Sequence, residues 1–188
     1  MDSFLMTCLL ITVPVVTVNG YNTGAPKEAC TNLMPNHSVV AQTSQSPYSI
    51  NVSSTSYKPN GTLTVTVKGR LFEGLILQAR LFSDDDDVTP IGTFSDPSTN
   101  TKFTKCTSDA DTWTHSPSLN KAEGSVKWTA PSKNVGDIIF RATIVESKQT
   151  FWTNHEKSVS AQSGNVGLRY GVWILCVELL TVAMVVCH

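Results

Sequence analysis

The stretch Thr62-Leu-Thr-Val-Thr-Val-Lys68 alternates without a break, with Leu63, Val65 and Val67 on one side and Thr64, Thr66 and Lys68 on the other. A side-chain period of two belongs to a half-buried strand, so this segment lies on a sheet with one face against a core. The pattern recurs along the chain. Within residues 75–82, Leu75, Leu77, Ala79 and Leu81 point inward while Gln78 and Arg80 point outward. Within residues 125–130, Val126 and Trp128 point inward before Pro131 ends the run. Within residues 137–146, Ile138, Phe140, Ala142 and Ile144 share a face opposite Arg141 and Thr143. Residues 48–53 and 149–153 read as further strands. Turn signals at Pro59-Asn-Gly61, residues 84–90, Asp96-Pro97 and residues 131–134 separate these runs. With no helical repeat to compete, short strands at this spacing predict an all-β fold, an antiparallel β-sandwich. Residues 95–124 read as a long irregular stretch.

The two ends are apolar. Residues 1–20, MDSFLMTCLLITVPVVTVNG, carry an apolar run interrupted only by Thr and Pro14, with small residues at Val18 and Gly20. They read as a secretory signal peptide cleaved after Gly20, because the run is short for a membrane span. Residues 171–188 form a second apolar run with Glu178 at its centre. Three readings of this tail stay open. It is a glycolipid-anchor signal, with Ser158, Ser160, Ala161, Ser163 and Gly164 supplying small residues and Ser163 the candidate attachment point. Alternatively it is a single span, although the cytoplasmic Lys or Arg that should follow one is missing. The third reading is plain secretion. The domain is expected over residues 21–157, with a linker at 158–170 and the tail at 171–188. The expected address is extracellular, either secreted or tethered at the outer face of the plasma membrane, with membrane contact only through the tail.

Charge excludes several functions. Of the 14 Lys and Arg and 15 Asp and Glu in the chain, only Arg169, Asp2 and Glu178 fall outside residues 21–163, so the body is balanced. A neutral body does not suit duplex nucleic acid, whose binding rests on neutralising phosphates. Nor does it suit a cationic membrane-lytic helix. Cys8, Cys176 and Cys187 lie in the apolar ends, which leaves Cys30 and Cys106 in the body. In an oxidising compartment an even pair is expected to form a disulfide; unpaired, one of them would be a candidate catalytic thiol. Sequons at Asn36-His-Ser38, Asn51-Val-Ser53 and Asn60-Gly-Thr62 make Asn36, Asn51 and Asn60 candidate glycosylation sites. All three fall in the N-terminal third, which suggests that sugar covers one side of the molecule.

Ordered motifs then carry a resemblance. Gly24-Ala25-Pro26, Cys30, Met34-Pro35 with His37, and Pro47-Tyr48 open it; Tyr57-Lys-Pro59, Phe72-Glu-Gly74-Leu-Ile-Leu-Gln78-Ala79-Arg80 and Gly92-Thr-Phe94 continue it. Cys106, Thr114-His115, Lys121, Val126-Lys-Trp128-Thr-Ala130-Pro131, Phe140-Arg-Ala142-Thr143 and Phe151-Trp152 complete it. Over about residues 24–153 the chain resembles the reeler (reelin N-terminal) domain family. The resemblance implies an immunoglobulin-like β-sandwich. It also implies roles found in that family: insect-type defence against bacteria, matrix and guidance modules, or the leading domain of ferric-chelate reductases. The DOMON unit and haem-carrying helices of those reductases find no counterpart in the motifs, so reductase activity is not expected.

Little in the body points to catalysis. His37, His115 and His155 are scattered, and neither H-E-x-x-H, C-x-x-C, G-x-S-x-G nor a P-loop occurs. No enzyme, cofactor or metal is expected, and His115 reads as a loop histidine bonding backbone. The run Asp84–Asp87 lacks the spaced ligands and glycine of a calcium loop and reads as a solvated turn. Lys68, Arg70, Arg80, Lys127 and Arg141 all fall on polar strand faces, where they would form a basic face for anionic ligands. Trp128 reads as core, and Trp113 and Trp152 as packed under the long loop. The function expected is non-enzymatic recognition in innate defence, through bacterial surface components. The alternative is an adhesion module binding sulfated glycosaminoglycan or protein.

Overall fold

The computed structural model describes Tyr21 and residues 23–83, 87–117 and 120–162. The signal and tail readings, the candidate attachment residue Ser163 and the carboxylates Asp84, Asp85 and Asp86 lie outside the described residues.

Among the described residues ten strands follow one another: β1 (Ser49–Val52), β2 (Ser56–Tyr57), β3 (Thr62–Phe72), β4 (Gly74–Leu81), β5 (Thr93–Ser95), β6 (Thr101–Thr104), β7 (Thr112–His115), β8 (Lys121–Thr129), β9 (Ile138–Ser147) and β10 (Thr150–Ala161). They form a four-stranded sheet in the order β1-β3-β8-β5 and a six-stranded sheet in the order β2-β10-β9-β4-β7-β6. Every pairing is antiparallel except the short one between β2 and β10. The predicted all-β sandwich is the observed fold.

The alternating residues meet as expected. Leu63, Val65 and Val67 of β3 and Val126 and Trp128 of β8 are buried in one cluster with Leu75, Leu77, Ala79, Ile138, Phe140, Ala142 and Ile144 of the second sheet. Trp128 stands edge-on between Tyr57 and Phe140, with ring centroids 5.7 and 5.3 Å away. Its Nε1 donates to the Ile91 carbonyl at 2.8 Å, which satisfies the one polar atom this large side chain brings inside. The chain passes directly over the indole at Gly92, whose φ is +74°; a Cβ there would lie 2.5 Å from Trp128 Nε1 and 2.6 Å from the Thr129 carbonyl. Only glycine allows that approach.

Three expectations are corrected. Residues 95–124 are not irregular, since they hold β6, β7 and the start of β8. These strands are short and rich in threonine, so no apolar alternation announces them. The domain does not end at residue 157: Ser158 pairs with Ile139 and Ser160 with Ser56 in β10, Val159 is buried, and Gln162 donates its amide to the Tyr57 carbonyl. A bulge between Trp152 and His155, with Asn154 at φ 56°, shifts the phase and hides this continuation from a period-two reading. Ser158, Ser160 and Ala161 therefore belong to a strand, not to a linker. Finally, both faces of β4 are buried, outward residues included.

Candidate functional site

The second layer of burial comes from the segment before β1. Tyr21 and residues 23–37 lie across the outer face of the six-stranded sheet, with one turn of 3-10 helix at Lys27–Cys30. Ala29 and Leu33 of this segment pack on Ile76, which points outward from β4. Polar bonds hold the segment down along its length. The Cys30–Cys106 disulfide is present, with Cα atoms 5.7 Å apart. The Ala25 amide donates to Thr114 Oγ1 at 2.9 Å, and Thr104 Oγ1 donates back to the Ala25 carbonyl at 3.0 Å. His115 ties the first residue: its Nε2 lies 2.8 Å from the Tyr21 carbonyl while Nδ1 takes the Leu75 amide at 3.2 Å. It bonds backbone as expected, but from the end of β7 and not from a loop, and both of its nitrogens are engaged.

Arg80 is the central fastener. It is 3% exposed, and its Nη2 donates to the carbonyls of Cys30 at 3.0 Å and Thr31 at 2.9 Å. Its Nε and Nη2 also grip Gln78 Oε1, at 2.9 and 2.7 Å. Burial first, and the Arg141 charge second, pull the guanidinium down to about 10, with Asp87 opposing them. On the other side of the disulfide, Asp111 collects the amides of Cys106, Thr107 and Ser108 at 2.9, 2.7 and 2.6 Å. That carboxylate fixes the turn presenting Cys106 to Cys30.

Between this cover and the sheet lies a cavity of about 300 Å³. Gly74, Leu75 and Ile76 of β4 and Thr143 and Val145 of β9 line its sheet side. Ala25, Pro26, Ala29, Met34 and Pro35 line the covering side, and Tyr21, Glu73, His37, His115, Ser116 and Lys148 complete it. The His37 ring stands edge-on to Phe151 at 5.7 Å, and its Nδ1 is buried with no hydrogen-bond partner among the described residues. Burial, and then the Lys148 charge, hold its pKa below the usual 6.5. No periodic pattern in the chain announces this cavity. The motif Met34-Pro35 with His37 marks its edge, but nothing periodic shows that the segment folds back over a sheet.

The five residues of the expected basic face do not come together. Lys68, Arg70 and Lys127 stand on β3 and β8 of the four-stranded sheet, whereas Arg80 and Arg141 stand on β4 and β9 of the other. Arg80 is under the cover. Arg70 pairs with Glu146 at 3.0 Å, Lys127 with Asp96 at 2.8 Å and Arg141 with Glu156 at 2.8 Å, and Lys68 faces Glu123 across the ladder. Alternation shows which side of a strand a residue takes, not which sheet it joins or what covers that sheet. The three sequon asparagines are exposed. They do not share a side: Asn36 belongs to the cover, Asn51 to the outer face of β1, and Asn60 to the turn before β3. Among the described residues no group of three or more His, Cys, Asp or Glu is placed to hold a metal.

His155 gives the body a pH response. Its Nε2 lies 3.1 Å from Ser46 Oγ, its ring stands against Tyr48, and burial lowers its pKa from 6.5. His37 shifts in the same direction. The unfolded chain then binds more protons than the folded one below about pH 6.5, so stability rises with pH across that range and is lost on acidification. Urea midpoints between about pH 7.5 and pH 5 are expected to fall, and to fall less in His155→Gln combined with His37→Asn. An equal fall in the double variant would assign the effect to carboxylates.

A family model described as "Reeler domain" matches residues 28–166. The chain belongs to the reeler family. A "Putative defense protein" of Bombyx mori is 34% identical over 164 residues, covering 81% of this chain and 93% of that protein. A "Putative ferric-chelate reductase 1" of Danio rerio is 34% identical over 152 residues, but this reeler chain spans only 26% of its length. Among solved structures, the human F-spondin reeler domain superposes with a TM-score of 0.58 at 21% identity, covering 71% of this chain and all of that one. That likeness speaks for the fold. Among the described residues, no helix of the reeler domain is long and apolar enough to cross a membrane.

Proposed function

We propose that this reeler protein is a non-enzymatic, extracellular recognition protein of innate defence that binds bacterial surface components. One observation carries the reading: the likeness to the silkworm defence protein runs over 93% of that protein, whereas the likeness to the zebrafish reductase is confined to 26% of its length. The geometry supports binding over catalysis. A preformed concave site with apolar walls and few polar groups is the usual form of a ligand pocket. Its two histidines do not form an acid–base pair with a nucleophile, because His115 is fully engaged by backbone. The adhesion reading loses its main support with the dispersal of the basic face.

The test is retention of the protein, purified from the medium of expressing cells, on intact bacteria, lipopolysaccharide, peptidoglycan and heparin at two salt concentrations. Retention on a microbial component and not on heparin is the expected result. Retention on heparin alone, lost in salt, would make this an adhesion module instead.

A further inference from the structure

We infer that the cavity beneath the N-terminal segment is a binding site for one aliphatic chain of medium length with an uncharged head group. The walls set the chain. Ile76 and Val145 on one side and Ala25, Ala29 and Met34 on the other present aliphatic carbon and sulfur. A half-open pocket of about 300 Å³ corresponds to roughly ten waters of liquid, and so to roughly eight to ten methylenes of similar size. Apolar space of this kind favours an apolar guest over water.

The polar inventory sets the head. His37 Nδ1 is closed off from the cavity as well as from solvent, so it offers the guest no hydrogen bond. At the same lining Glu73 and Lys148 bring one charge of each sign, so neither a carboxylate nor an ammonium gains a net attraction. The cavity cannot simply collapse, because the disulfide, Arg80 and the Tyr21 and Ala25 bonds fix the cover at its height above the sheet. Tyr21 and Met34, 37% and 38% exposed, leave an apolar rim for entry. The recognition reading enters only in naming a source: an acyl chain of a microbial amphiphile, as against a host lipid with the same chemistry.

Calorimetric titration of the intact protein with 1-hexanol, 1-octanol and 1-decanol tests the site, with octanoate and octylamine as charged controls. Each added methylene is expected to tighten binding about fourfold until the cavity is full, and the alcohol to bind better than either ion of equal length. Met34→Trp at the rim and Ile76→Trp on the sheet side are each expected to abolish binding. Met34 is exposed, so its variant keeps the experiment informative should Ile76→Trp fail to fold. Affinity independent of chain length, or unchanged in folded Met34→Trp, overturns the site. Loss of bacterial retention in Met34→Trp assigns the chain to the microbe; alcohol binding lost with bacterial retention intact leaves a site for a host lipid. Alcohol binding without bacterial retention in the wild type would sink the defence reading and spare the site.

Discussion

Replacing Cys30 and Cys106 together by serine is expected to lower the unfolding free energy by about 4 kcal/mol. The two residues are 76 apart in sequence, so the bond removes a large loop from the freedom of the unfolded chain. The native geometry adds a second effect. Cys30 ends the turn that carries Ala29 and Leu33 onto Ile76, and Cys106 sits in the turn held by Asp111. Without the bond the N-terminal cover is held by Arg80, the small Ala29–Leu33–Ile76 contact and a few part-buried or exposed hydrogen bonds. Amide exchange in residues 23–35 should therefore accelerate more than exchange in β3 or β9. Urea unfolding of the double serine variant, compared with the oxidised and reduced wild type, measures the first effect. Exchange measured by mass spectrometry reads the second. A change below about 1 kcal/mol would mean that the unfolded chain keeps these segments together without the bond.

Arg80→Met is expected to cost about 3 kcal/mol. Methionine keeps much of the side chain's apolar length, so the loss reports the guanidinium. Its removal leaves Gln78 Oε1 and the carbonyls of Cys30 and Thr31 without donors in a site from which water is largely excluded. Arg80→Lys is expected to recover only part of the loss, because one ammonium cannot reproduce the planar fork that reaches both the glutamine and the two carbonyls. Combined with the double serine change, the cost should be less than additive, since both fastenings hold the same segment. Thermal and urea melts of the four proteins give the coupling directly. Full additivity would show that Arg80 stabilises the sheet rather than the cover.

The inside of the sandwich was legible because a strand has one physical period. Leu63, Val65 and Val67 could pack nowhere but inward, and they meet Val126 and Trp128 as expected. The disulfide was legible for a chemical reason, from an even pair of cysteines in a body expected to meet an oxidising compartment. Arg80 misled for the converse reason. An arginine on the polar side of a strand normally faces water, and nothing local says that a segment about 50 residues earlier returns to cover it. The same blindness hid the cavity, whose walls come from β4, β9 and a segment with no period of its own. Strand β10 was cut short by its bulge, where Asn154 adopts a left-handed conformation and turns the pattern over. The misses at Arg80 and the cavity arose from interactions between distant parts of the chain, beyond what any window of neighbouring residues records, whereas the bulge at Asn154 is a local break in the period.

The length of β10 also determines how the molecule is presented. Lys148, at the cavity, precedes the strand, and the chain departs at its far end beside β2, twelve residues later. At the rise of an extended chain, that separates the two points by roughly 35 Å, about the full height of the sandwich. A body gripped from its C-terminal side would hold the cavity at its far pole, turned toward whatever approaches from solution. Grafting a rigid partner onto the departing end would leave that pole unobstructed, whereas one fused before Tyr21 would stand at its threshold.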